Sequence, residues 1–249
     1  MTSQIEGRRP VLEALRSGRP LREVLVSGRG GPLDEIRALA VRRGVPVRDV
    51  ARPDIDRLAR SPTPQGVIAL AGEFRYAQLD EVLGAPRPDP LLLVALDGVT
   101  DPHNLGAIAR STEAAGGHGV IVPERRSAGV TPVVEKAAAG ALAWLPVVRV
   151  GNLTRTLDLL KQRRIWVVAL DGDARDTVWD NDLATEPLCL VVGAEGRGVS
   201  RLVAEHADLA VRIPLSGHVG SLNASVAAGV ALFEVSRLRR SAAPEGRVD

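Results

Sequence analysis

Six apolar runs of strand length recur after residue 90: LLLVALDGV (91–99), GVIVPE (119–124), LPVVRV (145–150), IWVVALDG (165–172), LCLVVGAE (188–195) and LAVRIPL (209–215). Stretches of helical pattern separate nearly all of them. The apolarity is continuous rather than alternating, so each strand must be covered on both faces. A parallel sheet with helices packed on either side meets that requirement. Ligands of such sheets bind beyond the carboxyl ends of the strands. The segments that follow these runs are therefore where chemistry is to be sought.

The N-terminal third reads as a smaller, separate α/β unit. LREVLVSG (21–28) has the pattern of a strand, PLDEIRALAVRRG (32–44) that of a helix closed by glycine, and VPVRDV (45–50) that of another strand; a short helix at 53–60 and the strand GVIAL (66–70) follow. Pro86, Pro88 and Pro90 then alternate and oppose both helix and central strand. The expected organisation is a small α/β domain over 1–72, a linker over 73–90, a parallel-sheet domain over 91–240 and a flexible polar tail over 241–249.

Charge divides along the same line. Residues 1–72 carry 13 Arg against 8 Asp and Glu, a surplus of five positive charges, whereas 73–249 are three charges negative within a chain of net charge +2. Such a surplus suits phosphate contact, the sequence-independent part of nucleic-acid binding; a solvated arginine-rich surface is the plainer alternative.

Other classes are excluded by what the chain lacks. MTSQIEGRRP has no apolar signal-peptide core, and no uncharged stretch approaches the roughly 18 residues that span a bilayer, so a cytoplasmic protein is expected. Cys189 stands alone in an apolar run and reads as a buried small hydrophobe. His103, His118, His206 and His218 show no metal-ligand spacing, and no metal site is expected. His103 and His218 lie beside the motifs below, at positions expected to be on the surface. Trp144, Trp166 and Trp179 read as packing residues, and RLRR (237–240) as a solvated helix end.

Three clusters carry chemistry. In VVGAEGRGVS (191–200) an apolar strand runs into Gly193, Gly196 and Gly198. The dinucleotide fingerprint Gly-x-Gly-x-x-Gly belongs to a first strand, but here the spacing is reversed and falls on the fifth apolar run. Glu195 would also repel a pyrophosphate in a poorly solvated cleft. A nucleoside bearing positive charge, such as S-adenosylmethionine with its sulfonium, fits better. A mere tight turn is the alternative. In DGVTDPHNLGAIARSTEAAG (97–116), Asn104 stands at an expected helix N-cap and Arg110 one and a half turns on, where pairing with Glu113 is the structural alternative. In IPLSGHVGSLNASVAAGVALF (213–233), Asn223 is expected to cap a helix that buries Val226, Val230 and Phe233, while Ser221 and Asn223 project to one side and Leu222 to the other.

These three motifs, in this order, resemble those of the SpoU (TrmH) family of RNA ribose 2′-O-methyltransferases, and the opening IEGRRPVLEAL resembles the ribosomal-protein-like RNA-binding domain that many members carry. The resemblance covers almost the whole chain and is nearest in layout to bacterial enzymes that methylate a guanosine of 23S rRNA. Where those enzymes often read His-Gln-Gly, this chain has Pro64, Gln65 and Gly66. The resemblance implies a trefoil knot in the C-terminal domain, S-adenosylmethionine as cofactor, a homodimer, RNA as partner and neither DNA nor membrane. It implies that backbone around Gly193, Ile213 and Leu222, with Gly196 and Leu170, holds the cofactor, and that Asn104, Arg110, Glu195, Ser221 and Asn223 form the active site. Arg110 is expected to clamp a phosphate and stabilise charge on oxygen, because a guanidinium does not deprotonate. Glu195 is expected near the sulfonium, near Arg110, or as a proton acceptor through water. Methylation of tRNA or of a resistance nucleotide, a non-catalytic RNA-binding protein and a dinucleotide-dependent oxidoreductase are the rival readings. Asp97 and Asp101, which would crowd a pyrophosphate, oppose the last of these.

Overall fold

A computed structural model describes residues 3–17, 19–72, 74–180 and 185–242. Most of the expected tail lies outside the described residues. The chain divides into two compact units, Met1–Arg75 with Val130–Trp144, and Tyr76–Gly129 with Leu145–Asp249.

In the first unit β1 (Ser3–Glu6), α1 (Arg8–Arg16), β2 (Leu21–Val26), α2 (Pro32–Arg42), β3 (Val47–Asp49), α3 (Arg52–Leu58) and β4 (Val67–Ala71) alternate. The sheet order is β1-β4-β2-β3, with β4 antiparallel to β1 and β2 and β3 parallel to β2. Val11 and Leu15 of α1 and Leu33, Ile36 and Ala40 of α2 bury one face of this sheet against Val24, Val26 and Val67. A later segment completes the unit: α6 (Pro132–Ala138) packs on β1, followed by a 3₁₀ turn at Ala141–Ala143. Its Glu135, 8% exposed, pairs with Arg19, and Trp144 Nε1 donates to Glu13 at 3.4 Å. Nothing in the apolar pattern marked this segment as part of the basic domain.

The second unit holds α4 (Leu79–Gly84), β5 (Leu92–Asp97), α5 (Pro102–Ala114), β6 (Gly119–Pro123), β7 (Val147–Val150), α7 (Leu153–Gln162), β8 (Trp166–Leu170), β9 (Asp176–Thr177), β10 (Leu188–Gly193), α8 (Arg201–Ala204), β11 (Leu209–Arg212) and α9 (Ala224–Ala242). Helix α4 forms ahead of the three prolines because Gln78 and Glu81 make a capping box. Every pairing in the order β7-β6-β5-β10-β8-β11-β9 is parallel, as the continuous apolar runs require. All six residues of β10 are buried at the sheet centre. Cys189 is among them, and burial pushes its thiol pKa up to about 12.

Three packing expectations fail. Trp144, Trp166 and Trp179 are 58%, 42% and 45% exposed, so they are not core residues. On α9 the buried face is Ala228, Ala231, Leu232 and Val235, while Val226 and Phe233 are 50% and 53% exposed. The helix end at 237–240 is not simply solvated. Arg239 donates to the carbonyls of Pro90, Leu91 and Glu186 at 2.6, 3.2 and 2.8 Å, which anchors α9 beside the start of β5.

Candidate active site

The glycine loop forms because β10 ends in a turn that folds back on its own strand. Ala194 N donates to Gly198 O at 3.0 Å, and Gly198 N to Ala194 O at 2.8 Å. A methyl group on Gly193 would fall 1.9 Å from the carbonyl carbon of Gly198, so only glycine allows that approach. Gly196 and Gly198 take φ of 75° and 65°, the left-handed region. The loop's exit is held by Asp97 at the end of β5, whose Oδ2 accepts from Ser200 N at 2.7 Å.

This loop is one wall of a cavity of about 300 Å³. Leu170 at the end of β8 and Asp171 to Asp173 after it line it, as do Arg212 at the end of β11 and Ile213 after it, the segment Gly220 to Leu222, and Ala224 and Ala227 in the first turns of α9. All five residues expected to hold the cofactor, Leu170, Gly193, Gly196, Ile213 and Leu222, therefore line one space at the carboxyl ends of β8, β10 and β11. Ser221 and Leu222 both face it, so the expected alternation across Leu222 is not followed where the backbone is irregular.

Beside the cavity, three of the expected catalytic side chains meet. Asn223 Nδ2 donates to Asn104 Oδ1 at 3.0 Å and to Glu195 Oε2 at 3.1 Å, and Asn104 Nδ2 lies 3.5 Å from the same carboxylate oxygen. Glu195 also lines the cavity, so it joins the cavity to the network. Asn223 caps α9 as expected, its Oδ1 accepting from Ser225 N at 2.9 Å. Asn104 does not cap α5. Asp101 takes that place, accepting from His103 N at 2.8 Å, and Asn104 is 7% exposed inside the first turn. Because the cap lies three residues earlier, the Asn104 amide is released to reach across to Glu195.

Arg110 lies six residues further along α5, exposed, its guanidinium without a hydrogen bond or ion pair among the described residues; the pair with Glu113 does not form. Six residues of helix place it about 9 Å along the axis from Asn104. Two groups that matter here were missed by sequence reasoning, the carboxylates of Asp171 and Asp173, which line the cavity; Asp97, read in the sequence only as a group that would crowd a pyrophosphate, instead holds the exit of the loop. The repeated tetrapeptide ALDG, at 95–98 and 169–172, was the available signal, a carboxylate set at the end of each of two buried strands.

The cavity suits a nucleoside that carries positive charge. Leu170, Ile213 and Leu222 offer apolar contact, the glycine turn offers bare backbone, and the carboxylates of Asp171, Asp173 and Glu195 outnumber the two arginines of the lining, Arg197 and Arg212. Residues 91–233 match the SpoU rRNA methylase family, and residues 4–77 match the RNA 2′-O ribose methyltransferase substrate-binding domain. The chain belongs to the SpoU family. An uncharacterized tRNA/rRNA methyltransferase of Mycolicibacterium vanbaalenii is 46% identical over 246 residues, 97% of this chain and 78% of that protein. The SpoU methyltransferase AviRb of Streptomyces viridochromogenes, crystallised in complex with the cofactor AdoMet, aligns with TM-score 0.81 and 31% identity over 96% of this chain and 90% of its own. The AdoMet-bound rRNA methyltransferase of Sinorhizobium meliloti aligns with TM-score 0.79 and 28% identity over 95% and 87%. This SpoU protein is accordingly an RNA 2′-O-ribose methyltransferase, with the family's two domains present. No helix among the described residues is long and apolar enough to cross a membrane.

Proposed function

We propose that this SpoU enzyme transfers the methyl group of S-adenosylmethionine to the ribose 2′-oxygen of a guanosine in 23S rRNA, acting in the cytoplasm as a homodimer. The observation that carries the reading is the convergence of Glu195, Asn223 and Asn104 beside a cavity lined by three carboxylates and two arginines. Support for ribosomal RNA comes from the family model, whose description is of rRNA methylases. The exposed Val226 and Phe233 on α9 offer an apolar face for a second copy. The trefoil knot implied by the family resemblance belongs to the same proposal.

When bound, S-adenosylmethionine supplies an electrophilic methyl carbon, and the chain's task is to align a hydroxyl and ease loss of its proton. Gly193, Gly196, Leu170, Ile213 and Leu222 would hold the cofactor, with acidic groups toward its positive end. Glu195 Oε2 is occupied by the two amides, while its Oε1 makes no hydrogen bond among the described residues. That oxygen is the acceptor for the 2′-hydroxyl proton, reached through water. Arg110, always protonated, holds the phosphate next to the target ribose and stabilises the charge that grows on oxygen. Ser221 orients the ribose, and Asn104 and Asn223 fix the carboxylate. Mapping 2′-O-methyl marks across rRNA and tRNA in a strain lacking the gene tests the assignment. Loss of one 23S guanosine mark is expected; loss of a tRNA mark instead overturns it.

A further inference from the structure

The Asn223 side chain bonds in two opposite directions. Toward the site, its Nδ2 donates to Asn104 Oδ1 at 3.0 Å and to Glu195 Oε2 at 3.1 Å, so both amide protons are taken. Toward α9, its Oδ1 collects three donors: Ser225 Oγ at 2.6 Å, Ser225 N at 2.9 Å and Val226 N at 3.4 Å. The Asn223 carbonyl accepts from Ala227 N at 2.9 Å, so its backbone is part of the helix start as well. An amide oxygen carries no proton, and the Ser225 hydroxyl is therefore the donor in the shortest of these contacts.

This orientation has to be enforced. The terminal torsion of an asparagine is broad and roughly two-fold, and Asn223 is only half-buried. Turned over, the side chain would set its Oδ1 against Glu195 Oε2 and Asn104 Oδ1, acceptors with no proton between them, and its Nδ2 against the N–H groups of α9. Free N–H groups belong to the start of any helix. The hydroxyl does not, and it is the choice of Ser at 225 that supplies it. Among the described residues Ser225 Oγ makes no other hydrogen bond, and Ser225 is absent from the cavity lining, to which Ala224 and Ala227 on either side contribute.

We propose that Ser225 is a positioning residue for methyl transfer: its hydroxyl locks the Asn223 amide, and that amide in turn holds the Glu195 carboxylate with Oε1 left open to the 2′-hydroxyl proton. This rests on the reading of Glu195 as the proton acceptor. The donors run one way, from the Ser225 O–H to the Asn223 carbonyl and from the Asn223 amide to Glu195 and Asn104. Bonds accepted at Oδ1 polarise the amide and strengthen Nδ2 as a donor to the carboxylate. No proton passes along this chain. Ser225 touches neither substrate nor cofactor and sets geometry alone.

The test compares Ser225→Ala, Ser225→Thr, Asn223→Ala and the double variant Ser225→Ala/Asn223→Ala in the full-length enzyme. Methyl transfer is measured from labelled S-adenosylmethionine to total RNA of a strain lacking the gene. Ser225→Ala is expected to lower kcat about tenfold, which is about 1.4 kcal/mol and the scale of one hydrogen bond, with KM and cofactor affinity unchanged. Ser225→Thr, which keeps the hydroxyl, is expected to restore kcat. In the Asn223→Ala background the same change should cost less than about twofold, because the hydroxyl then has nothing to hold. Alanine is the better helix former, so Ser225→Ala should not lower the unfolding temperature. Equal losses in both backgrounds, a loss in KM or cofactor affinity in place of kcat, or no loss at all overturns the proposal. The side-chain amide signal of Asn223 in nitrogen-labelled protein, identified by its absence from Asn223→Ala, gives a readout free of turnover. Sharp, slowly exchanging protons are expected in the unmodified enzyme and in Ser225→Thr, and broadened, faster-exchanging ones in Ser225→Ala; unchanged signals in Ser225→Ala overturn the proposal whatever the activity. Glu195→Gln, run alongside, separates the two claims. Full turnover there rejects Glu195 as the acceptor, while the amide signals still decide whether Ser225 holds Asn223; an inactive Glu195→Gln beside an unaffected Ser225→Ala rejects Ser225 alone.

Discussion

At the scale of single residues, the site depends on where each polar group is held. Arg110 lies on α5 outside the cavity lining, so its removal leaves the cofactor's surroundings intact. Arg110→Ala is expected to lower methyl transfer on the order of 10²–10³-fold, as loss of one charge-stabilising donor does, with cofactor affinity unchanged in a calorimetric titration; a matching loss of cofactor affinity would reassign its role. His118 gives a second prediction. Its Nδ1 accepts from Leu92 N at 3.0 Å, and burial, with Arg87 and Arg239 nearby, lowers its pKa below the usual 6.5. Below pH 6.5 the unfolded chain then takes up a proton that the folded protein resists. Stability should therefore fall as pH drops from about 6.5 and level off below the folded-state pKa, and His118→Asn, which keeps an acceptor, should remove that dependence in thermal unfolding. Of the network, Asn104, Glu195 and Asn223 were legible in sequence because each sits in a motif. The role of Asp97 was not, since a carboxylate at a strand end looks the same whether it faces a ligand or a backbone amide.

At the scale of elements, the strands were legible and the faces of α9 were not. Two apolar stripes run along that helix, and helical periodicity admits either as the core face. Packing against α5 decides between them, and the small-residue stripe with Ala228 and Ala231 turns inward. Val226 and Phe233 are left outside. If that face is where two copies meet, Phe233→Asp should convert dimer to monomer in sedimentation velocity and reduce methyl transfer, while unfolding of the monomer changes little. An intact dimer would place the interface elsewhere. The cap of α5 also escaped sequence reading, because both Asp101 and Asn104 are competent caps and only the fold assigns one of them to Glu195.

At the scale of the whole molecule, the N-terminal unit is not a simple N-terminal piece. Residues 130–144 leave the sheet after β6 and bury Val134, Ala138 and Ala141 with the first unit, where Glu135 meets Arg19. Composition could not show this, because the segment follows an ordinary strand and carries ordinary helix formers. Removing residues 1–75 should therefore weaken RNA binding and flatten its salt dependence, but should also strip amide-exchange protection from 132–143. Protection that persists there would mean that the segment folds without the basic unit. The account as a whole stands on one placement, a cationic methyl donor lying between the glycine turn at 193–198 and the segment 213–222, within reach of Glu195. A crystal structure with S-adenosylhomocysteine measures it directly: the nucleoside is predicted in the cavity lined by Leu170, Gly193, Ile213 and Leu222. Density for it anywhere else, or an occupied cavity with Glu195 turned away from Asn223, would contradict the account.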